Sequence, residues 1–310
     1  MRFELIVLGT NGAVPSARRG ASANLLRLEA EDFLIDCGEG TQIQLLRAGQ
    51  SISRVEHIFI SHLHGDHYFG LPGLITSQSL LRRTRPLTIH SPPGLRDRLA
   101  PLLELDRYSP PYPLTFRELA ATELTPVLET KTAEVFAFPL RHRIRCNGYL
   151  IRERKRPANI ISARIGELNI PYQQIPAIKA GADFTAADGR VIPNAELVVP
   201  AAAPRSYAYC SDTVYFPELA SYVQGIDLLY HEATFTHDRA EEARQKGHST
   251  ALEAARTGAD AGVGVLVMGH FSSSYDRVDG FEAEARTLLP ESYAAADLSR
   301  YVVPFTGRRA

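Results

Sequence analysis

"SHLHGDHYFG", Ser61 to Gly70, packs three histidines and one aspartate into six residues. It follows "HIFIS" (57–61), a short apolar run that reads as a strand. A polar turn does not call for this density of imidazole. His62 and His64 are two apart, and residues at i and i+2 of an extended chain project to one side. Asp66 continues the alternation, and His67 follows at once. Two imidazoles can hold one metal ion while a carboxylate and another imidazole reach a second. Imidazole plus carboxylate suits zinc best, with manganese or iron as alternatives.

On either side the same grammar repeats. "FELIVLG" (3–9), "ANLLRLE" (23–29) and "DFLID" (32–36) are strand-like, and each ends at turn-forming residues. "TQIQLLRAG" (41–49) has helical spacing and a glycine stop. "LPGLITSQSLLRR" (71–83) reads as a helix after the histidine loop, with further strands at 86–90, 134–140 and 146–151. The pattern lapses from about 155 to 200. There "RERKRPAN", "NIPYQQIPAIKAG" and the turn Asp188–Gly189 suggest an inserted, extended arm with a small hairpin. It resumes with "YAYCS" (207–211), "DLLYHEA" (227–233), a helix after His248, "GVLVMGH" (264–270) and a helix near 281–288. Alternating strands and helices predict an α/β protein with two sheets or one large one.

One loop cannot fill two metal shells. Three polar residues stand where buried strands emerge: His142 after "VFAFPLR", Asp212 after "YAYCS" and His270 after "VLVMG". Strand ends are the usual place for function in α/β folds. His248 in "GHST" precedes "TALE" (250–253), a capping-box pattern. A helix start lowers the pKa of a nearby histidine, and Glu232 of "HEAT" could offset that. His231 is expected to be structural, His237 a surface residue and Cys210 a buried small hydrophobe.

HxHxDH, then an isolated His, an Asp and a final His, is the ligand order of the metallo-β-lactamase superfamily, which this chain resembles. "FELIVLGTNGAVPS", "DCGEGTQIQLL" (36–46), "ISHLHGDHYFGLPGLI" (60–75), "HEAT" (231–234), "GHST" (247–250) and "HFSSSYD" (270–276) narrow the resemblance to the ribonuclease Z family. That family trims the 3′ end of precursor tRNA, and its motifs run in order through nearly the whole chain. The resemblance implies a four-layer αβ/βα sandwich over residues 1–310, a single catalytic domain with an inserted arm at about 155–200. It implies two zinc ions, one on His62, His64 and His142, the other on Asp66, His67 and His270, with Asp212 between them. Asp66 is then the general base, and the His248–Glu232 pair the general acid or phosphate binder. The implied partners are precursor tRNA, held in part by the arm, and a second copy of the chain in a homodimer.

Composition neither adds to this nor contradicts it. The net charge is −1, so bulk charge gives no sign of a nucleic-acid binder. Local charge does: Arg141, Arg143, Arg145, Arg152, Arg154, Lys155 and Arg156 form one basic stretch, and Arg82, Arg83 and Arg85 another. Three scattered cysteines (Cys37, Cys146, Cys210) make no disulfide framework and point to a reducing compartment. With no membrane-length apolar run and no signal-peptide pattern, the cytoplasm is expected. Four places depart from the family pattern: the arm lacks a Gly-Pro tip, "PSARRG" (15–20) stands in the N-terminal loop, Ser274 replaces an arginine, and Ser211 replaces the glycine before Asp212. All lie near RNA-handling surfaces. They leave open a related hydrolase of small phosphodiesters or esters and, in a different class, a metal-stabilised RNA-binding protein without catalysis.

Overall fold

Along Phe3–Gly9, Phe3, Leu5 and Val7 face one side and Ile6 and Leu8 the other, and all five are buried. A strand buried on both faces needs a sheet behind it and helices in front. The computed structural model, which describes residues 2–14 and 16–304, has that arrangement. One seven-stranded sheet runs Arg300–Val302, Phe3–Gly9, Ala23–Leu28, Asp32–Ile35, Val55–Phe59, Leu87–Ser91 and Leu114–Glu118. The other runs Ser292–Ala294, Val265–Gly269, Leu228–Glu232, Ser206–Cys210, Cys146–Glu153, Ala133–Leu140 and Thr125–Glu129.

Between the sheets lies a core of Phe3, Leu5, Phe33 and Phe59 from the first and Tyr149, Tyr207, Tyr209 and Tyr230 from the second. The tyrosines suit this layer because the ring fills volume while the hydroxyl can reach a polar partner. Tyr149 donates to the Ile60 carbonyl (2.8 Å) and Tyr209 to Asp36 (2.7 Å), so each ties one sheet to the other. Helices Thr41–Arg47, Leu71–Leu80 and Leu95–Leu102 cover the outside of the first sheet through Leu45, Leu74 and Leu99. Helices Ala251–Ala261 and Asp279–Ala285 cover the second through Ala254, Ala255 and Phe281. This is the expected αβ/βα sandwich.

The strands Ser206–Cys210, Leu228–Glu232 and Val265–Gly269 are parallel neighbours. Their carboxyl ends therefore share an edge, and Asp212, Glu232 and His270 meet there. Several elements escaped the sequence reading. Leu95–Leu102 carries Pro101 within it, and Leu114–Glu118, Thr125–Glu129, Ser292–Ala294 and Arg300–Val302 are short strands at or near sheet edges without a clear alternation. The helix expected over 71–83 stops at Leu80, and Arg82 turns left-handed (φ 56°).

Two compact units emerge: one comprises the chain to Arg152 and Arg205–Val303, the other Glu153–Pro204. The second is not the extended arm that the sequence suggested. It has its own core of Ile170, Ile178, Phe184, Leu197 and Val198. Short helices Ser162–Glu167, Ile175–Lys179 and Asn194–Leu197 accompany two small strand pairs. The hairpin at Asp188–Gly189 is present, with Gly189 at φ +84° where other residues would be strained.

Candidate metal centre

His62 and His64 leave the strand Val55–Phe59, Asp66 and His67 lie on the short helix Gly65–Tyr68, and His142, Asp212 and His270 follow three strands of the second sheet. The fold brings all seven together. His62, His64, His142 and Asp212 form one group of converging donors, and Asp66, His67 and His270 another.

In the first group His62 Nε2 is 3.0 Å from His64 Nδ1 and 3.5 Å from Asp212 Oδ2, and His142 Nε2 is 3.3 Å from His64 Nδ1. In the second His67 Nε2 is 3.3 Å from Asp66 Oδ2 and 3.5 Å from Asp212 Oδ1, and His270 Nε2 is 3.4 Å and 3.2 Å from the same two oxygens. Tetrahedral donors bonded at about 2.0–2.1 Å stand about 3.4 Å apart, so both groups have the dimensions of a zinc shell. Asp212 turns one oxygen to each group.

The buried atoms support the same reading. His67 Nε2 and Asp212 Oδ1 form no hydrogen bond with the protein. Such atoms are costly unless a ligand satisfies them. Burial opposes charge on His67, yet Asp66, Asp212 and Asp36 raise its pKa well above the usual imidazole range. Burial likewise opposes charge on Asp66 and Asp212, but the surrounding histidines hold both far below the usual carboxylate range. Carboxylates that draw protons onto buried imidazoles will draw a divalent cation instead, with release of those protons.

Several of the other ring nitrogens are engaged. His142 Nδ1 donates to the Gly247 carbonyl (2.7 Å) and His67 Nδ1 to Asp36 (2.7 Å), while His270 Nδ1 lies 3.0 Å from the Thr234 hydroxyl, which itself donates to Glu232 (2.8 Å). Such partners fix ring orientation and leave the facing nitrogen bare. Gly247 sits at φ +82°, and a Cβ there would come within 2.8 Å of His142 Nδ1. His270 and Asp36 hold left-handed backbones (φ 59° and 56°), strain of the kind that collects at functional sites.

His248 and Glu232 form the expected pair. His248 Nδ1 is 3.1 Å from Glu232 Oε1, whose other contacts are the Ser249 and Thr213 amides. Burial would lower the pKa of His248, but Glu232 and then Asp212 outweigh it and raise it to about 9. Burial pushes Glu232 up, and the charge and hydrogen bond of His248 pull it down further. The capping box at Thr250 and Glu253 is formed. His248 also reaches Asp212 and His270, but the atom 3.9 Å from Asp212 is Nδ1, already committed to Glu232.

His64, Asp66, His142, Asp212, His248 and His270 line a cleft of about 530 Å³ with Val14, Glu39, Phe69, Arg143 and Lys246 on its walls. The basic stretches are only partly available to a ligand. Arg83 points inward to the carbonyls of Ser53, Arg85 and Pro86, so it is structural, and Arg85 pairs with Glu56. Arg141 pairs with Glu218, and Arg19 of the N-terminal loop donates to Asn11, Ser272 and Tyr275. Pro15, which opens that loop, lies outside the described residues. Arg239 donates to Ser274 (2.8 Å). Cys210 is buried in the apolar core, His231 is buried on its strand and His237 is exposed, as expected. Sequence reasoning assigned no role to Asp36, Ser61, Thr213 or Thr234. Their one signal was position, each beside a strand end or a ligand.

A sequence family described as "Anti-Pycsar protein Apyc1" matches residues 3–103, which include the histidine loop but not His142, Asp212 or His270. Full-length similarity lies elsewhere. "Ribonuclease Z" of Bacteroides thetaiotaomicron is 44% identical over 296 residues, covering 96% of this chain and 94% of its own. The crystal structure of the short form of human tRNase Z matches with a TM-score of 0.71 at 27% identity, covering 97% of this chain and 99% of that one. The metallo-β-lactamase fold protein YhfI of Bacillus subtilis, at TM-score 0.69 and 19% identity over 98% of this chain and 100% of that one, shares the fold.

Proposed function

The chain belongs to the ribonuclease Z family, and from that premise we propose that it hydrolyses one phosphodiester of precursor tRNA, removing the 3′ trailer and leaving a 3′-hydroxyl on the tRNA. It is an endoribonuclease on the metallo-β-lactamase fold. The observation that carries its chemistry is the pair of donor groups with one Asp212 oxygen turned to each.

We assign His62, His64 and His142 to one zinc ion, Asp66, His67 and His270 to the other, and Asp212 to both. Bound there, two such ions would activate water and offset charge on the phosphoryl oxygens. The chain's own residues move the protons. Asp66 turns Oδ2 to His67, His270 and the Ala13 amide. Its Oδ1 accepts the proton of the attacking water, which makes Asp66 the general base. Glu232 holds His248 Nδ1–H and keeps the ring charged, so Nε2 delivers a proton to the departing ribose 3′-oxygen. Arg143 and Lys246 on the cleft wall favour the approach of a phosphodiester.

The unit Glu153–Pro204 is proposed to grip the tRNA, and the enzyme to work as a homodimer in the cytoplasm. Family membership supports all three. So do the basic stretch Arg152–Arg156 in the sequence, the free buried cysteines, and the exposed Leu46 and Leu80 on helices that pack together. Among the described residues no helix is long and apolar enough to cross a membrane. The direct test offers precursor tRNA and bis(p-nitrophenyl)phosphate to the purified protein. Cleavage of the tRNA at the trailer junction is expected. Hydrolysis of the small ester alone would point to another hydrolase of the fold, and binding without cleavage to an RNA-binding protein.

A further inference from the structure

One hydroxyl lies where both halves of the metal centre meet. Ser61 Oγ is 2.8 Å from Asp36 Oδ2, 3.0 Å from His62 Nδ1 and 3.0 Å from Ser211 Oγ, and 3.5 Å from His67 Nδ1. Ser61 and Ser211 are fully buried. Ser61 follows a strand of the first sheet and Ser211 a strand of the second, so their bond joins the two sheets beneath the site.

The proton count fixes the roles. A hydroxyl has one proton and two lone pairs. The Asp36 carboxylate can only accept, so the Ser61 proton goes to it. A lone pair then accepts from His62 Nδ1–H, and Ser211 Oγ, 3.0 Å away, stands as a second acceptor for the Ser61 proton. Cys146 Sγ stands farther from the same His62 nitrogen, at 3.7 Å. Asp36 also accepts from His67 Nδ1 (2.7 Å), Tyr209 (2.7 Å) and the Ser61 amide (2.7 Å). One carboxylate therefore sets the tautomer of His62, a donor of the first group, through Ser61, and that of His67, a donor of the second, directly. Both rings thus keep a proton on Nδ1, and Nε2 is the nitrogen left to an ion once any proton on it is released. Ser211 adds the residue beside Asp212, which serves both groups.

We infer that Ser61 is a positioning residue that couples the two metal shells, and that Ser211 completes the link, so that the two ions load as one event. The inference rests on the dinuclear reading above and adds a property to it. Because the shared network orients one donor of each group, ordering it for the first ion leaves less to be ordered for the second.

The test titrates metal-free protein with cobalt(II), following the visible absorption of the bound ion and competition with a chromophoric chelator. Wild type should take up two ions in one cooperative step. Ser61→Ala should take them up in two separate steps, the weaker about 10–100-fold reduced in affinity, as expected for loss of a ligand's hydrogen-bond partner. Ser61→Thr keeps the hydroxyl and should restore the single step. Ser211→Ala removes only the link between sheets. It should separate the two steps with a smaller loss, and it remains informative if Ser61→Ala does not fold. Ser61→Ala or Ser211→Ala titrating like wild type would overturn the coupling. Wild type binding fewer than two ions would instead overturn the dinuclear reading on which it rests.

Discussion

Nine of the ten histidines are buried or half-buried, and apart from His231 they fall into two kinds of site. His57 and His90 lie on adjacent strands, with His90 Nε2 3.5 Å from His57 Nδ1 and the His90 ring stacked on Phe59 at 4.6 Å. Burial pushes His90 down to about 3, and its neighbours His57 and Arg117 push the same way. At the rim, His62, His67, His142 and His270 are as close to one another, yet each passes its Nδ1 to an oxygen of Ser61, Asp36, Gly247 or Thr234. Carboxylates Asp66 and Asp212 then face the bare Nε2 atoms. Proximity of imidazoles is common to both places. What differs is an outer ring of acceptors and a negative charge between the rings, and those make a cation site. The pair without them is aromatic packing.

The largest effect should come from the carboxylate that the rim has and the inner pair lacks. Asp212→Ala should lose both bound metal and cleavage, the latter by more than the roughly 10²–10⁴-fold of a lost general base. Metal analysis showing two ions per chain retained would remove Asp212 from between the groups. Asp66→Ala should reduce turnover at least 10²–10⁴-fold. Activity within tenfold of wild type would exclude it as the base.

His248→Ala should come next, with turnover falling about 10²-fold or more and metal content unchanged, since its Nδ1 is spent on Glu232. The loss should be milder on p-nitrophenyl esters, whose leaving group needs little protonation. Equal losses on tRNA and on the ester would sink the proton-donor role.

Replacing residues 158–198 by a short Gly/Ser linker should spare the metal groups and the hydrolysis of small phosphodiesters, because no ligand lies there. Precursor-tRNA cleavage should weaken through affinity, with a flatter salt dependence as fewer phosphate contacts remain. Unchanged tRNA affinity and salt slope would leave that unit without a part in binding.

The smallest effect belongs to the inner pair and appears only in stability. His90 is neutral in the fold, and its folded pKa of about 3 lies below the ordinary value near 6.5. The unfolded chain therefore takes up a proton first as pH falls, and stability is lost from about pH 6.5 downward toward 3. At pH 5 the loss is about 2 kcal/mol. Urea unfolding of wild type should fall by about that much more between pH 7 and pH 5 than unfolding of His90→Phe, which does not titrate. Parallel curves would show that His90 is not held neutral.

The converging donors were legible because a candidate metal site needs particular residue types at strand ends, and strand ends show in a sequence as apolar runs that stop. His142, Asp212 and His270 were each found that way. The network beneath them was not legible. Asp36, Ser61 and Thr234 are common residues whose meaning comes from partners far along the chain, such as Tyr209 on Asp36, 173 positions away. The strands Leu114–Glu118 and Thr125–Glu129 were missed because half-exposed strands near an edge need no apolar alternation. Glu153–Pro204 looked extended because its helices are four to six residues long, too short for periodicity to register.

One experiment bears on the whole reading of the rim. Metal bound per chain and cleavage of precursor tRNA are measured together on one preparation, before chelation, after it and after zinc is restored. Two ions per chain are expected at the start, with trailer removal lost on chelation and regained as the second ion returns. Trailer removal at full rate by protein carrying less than one ion per chain would contradict it.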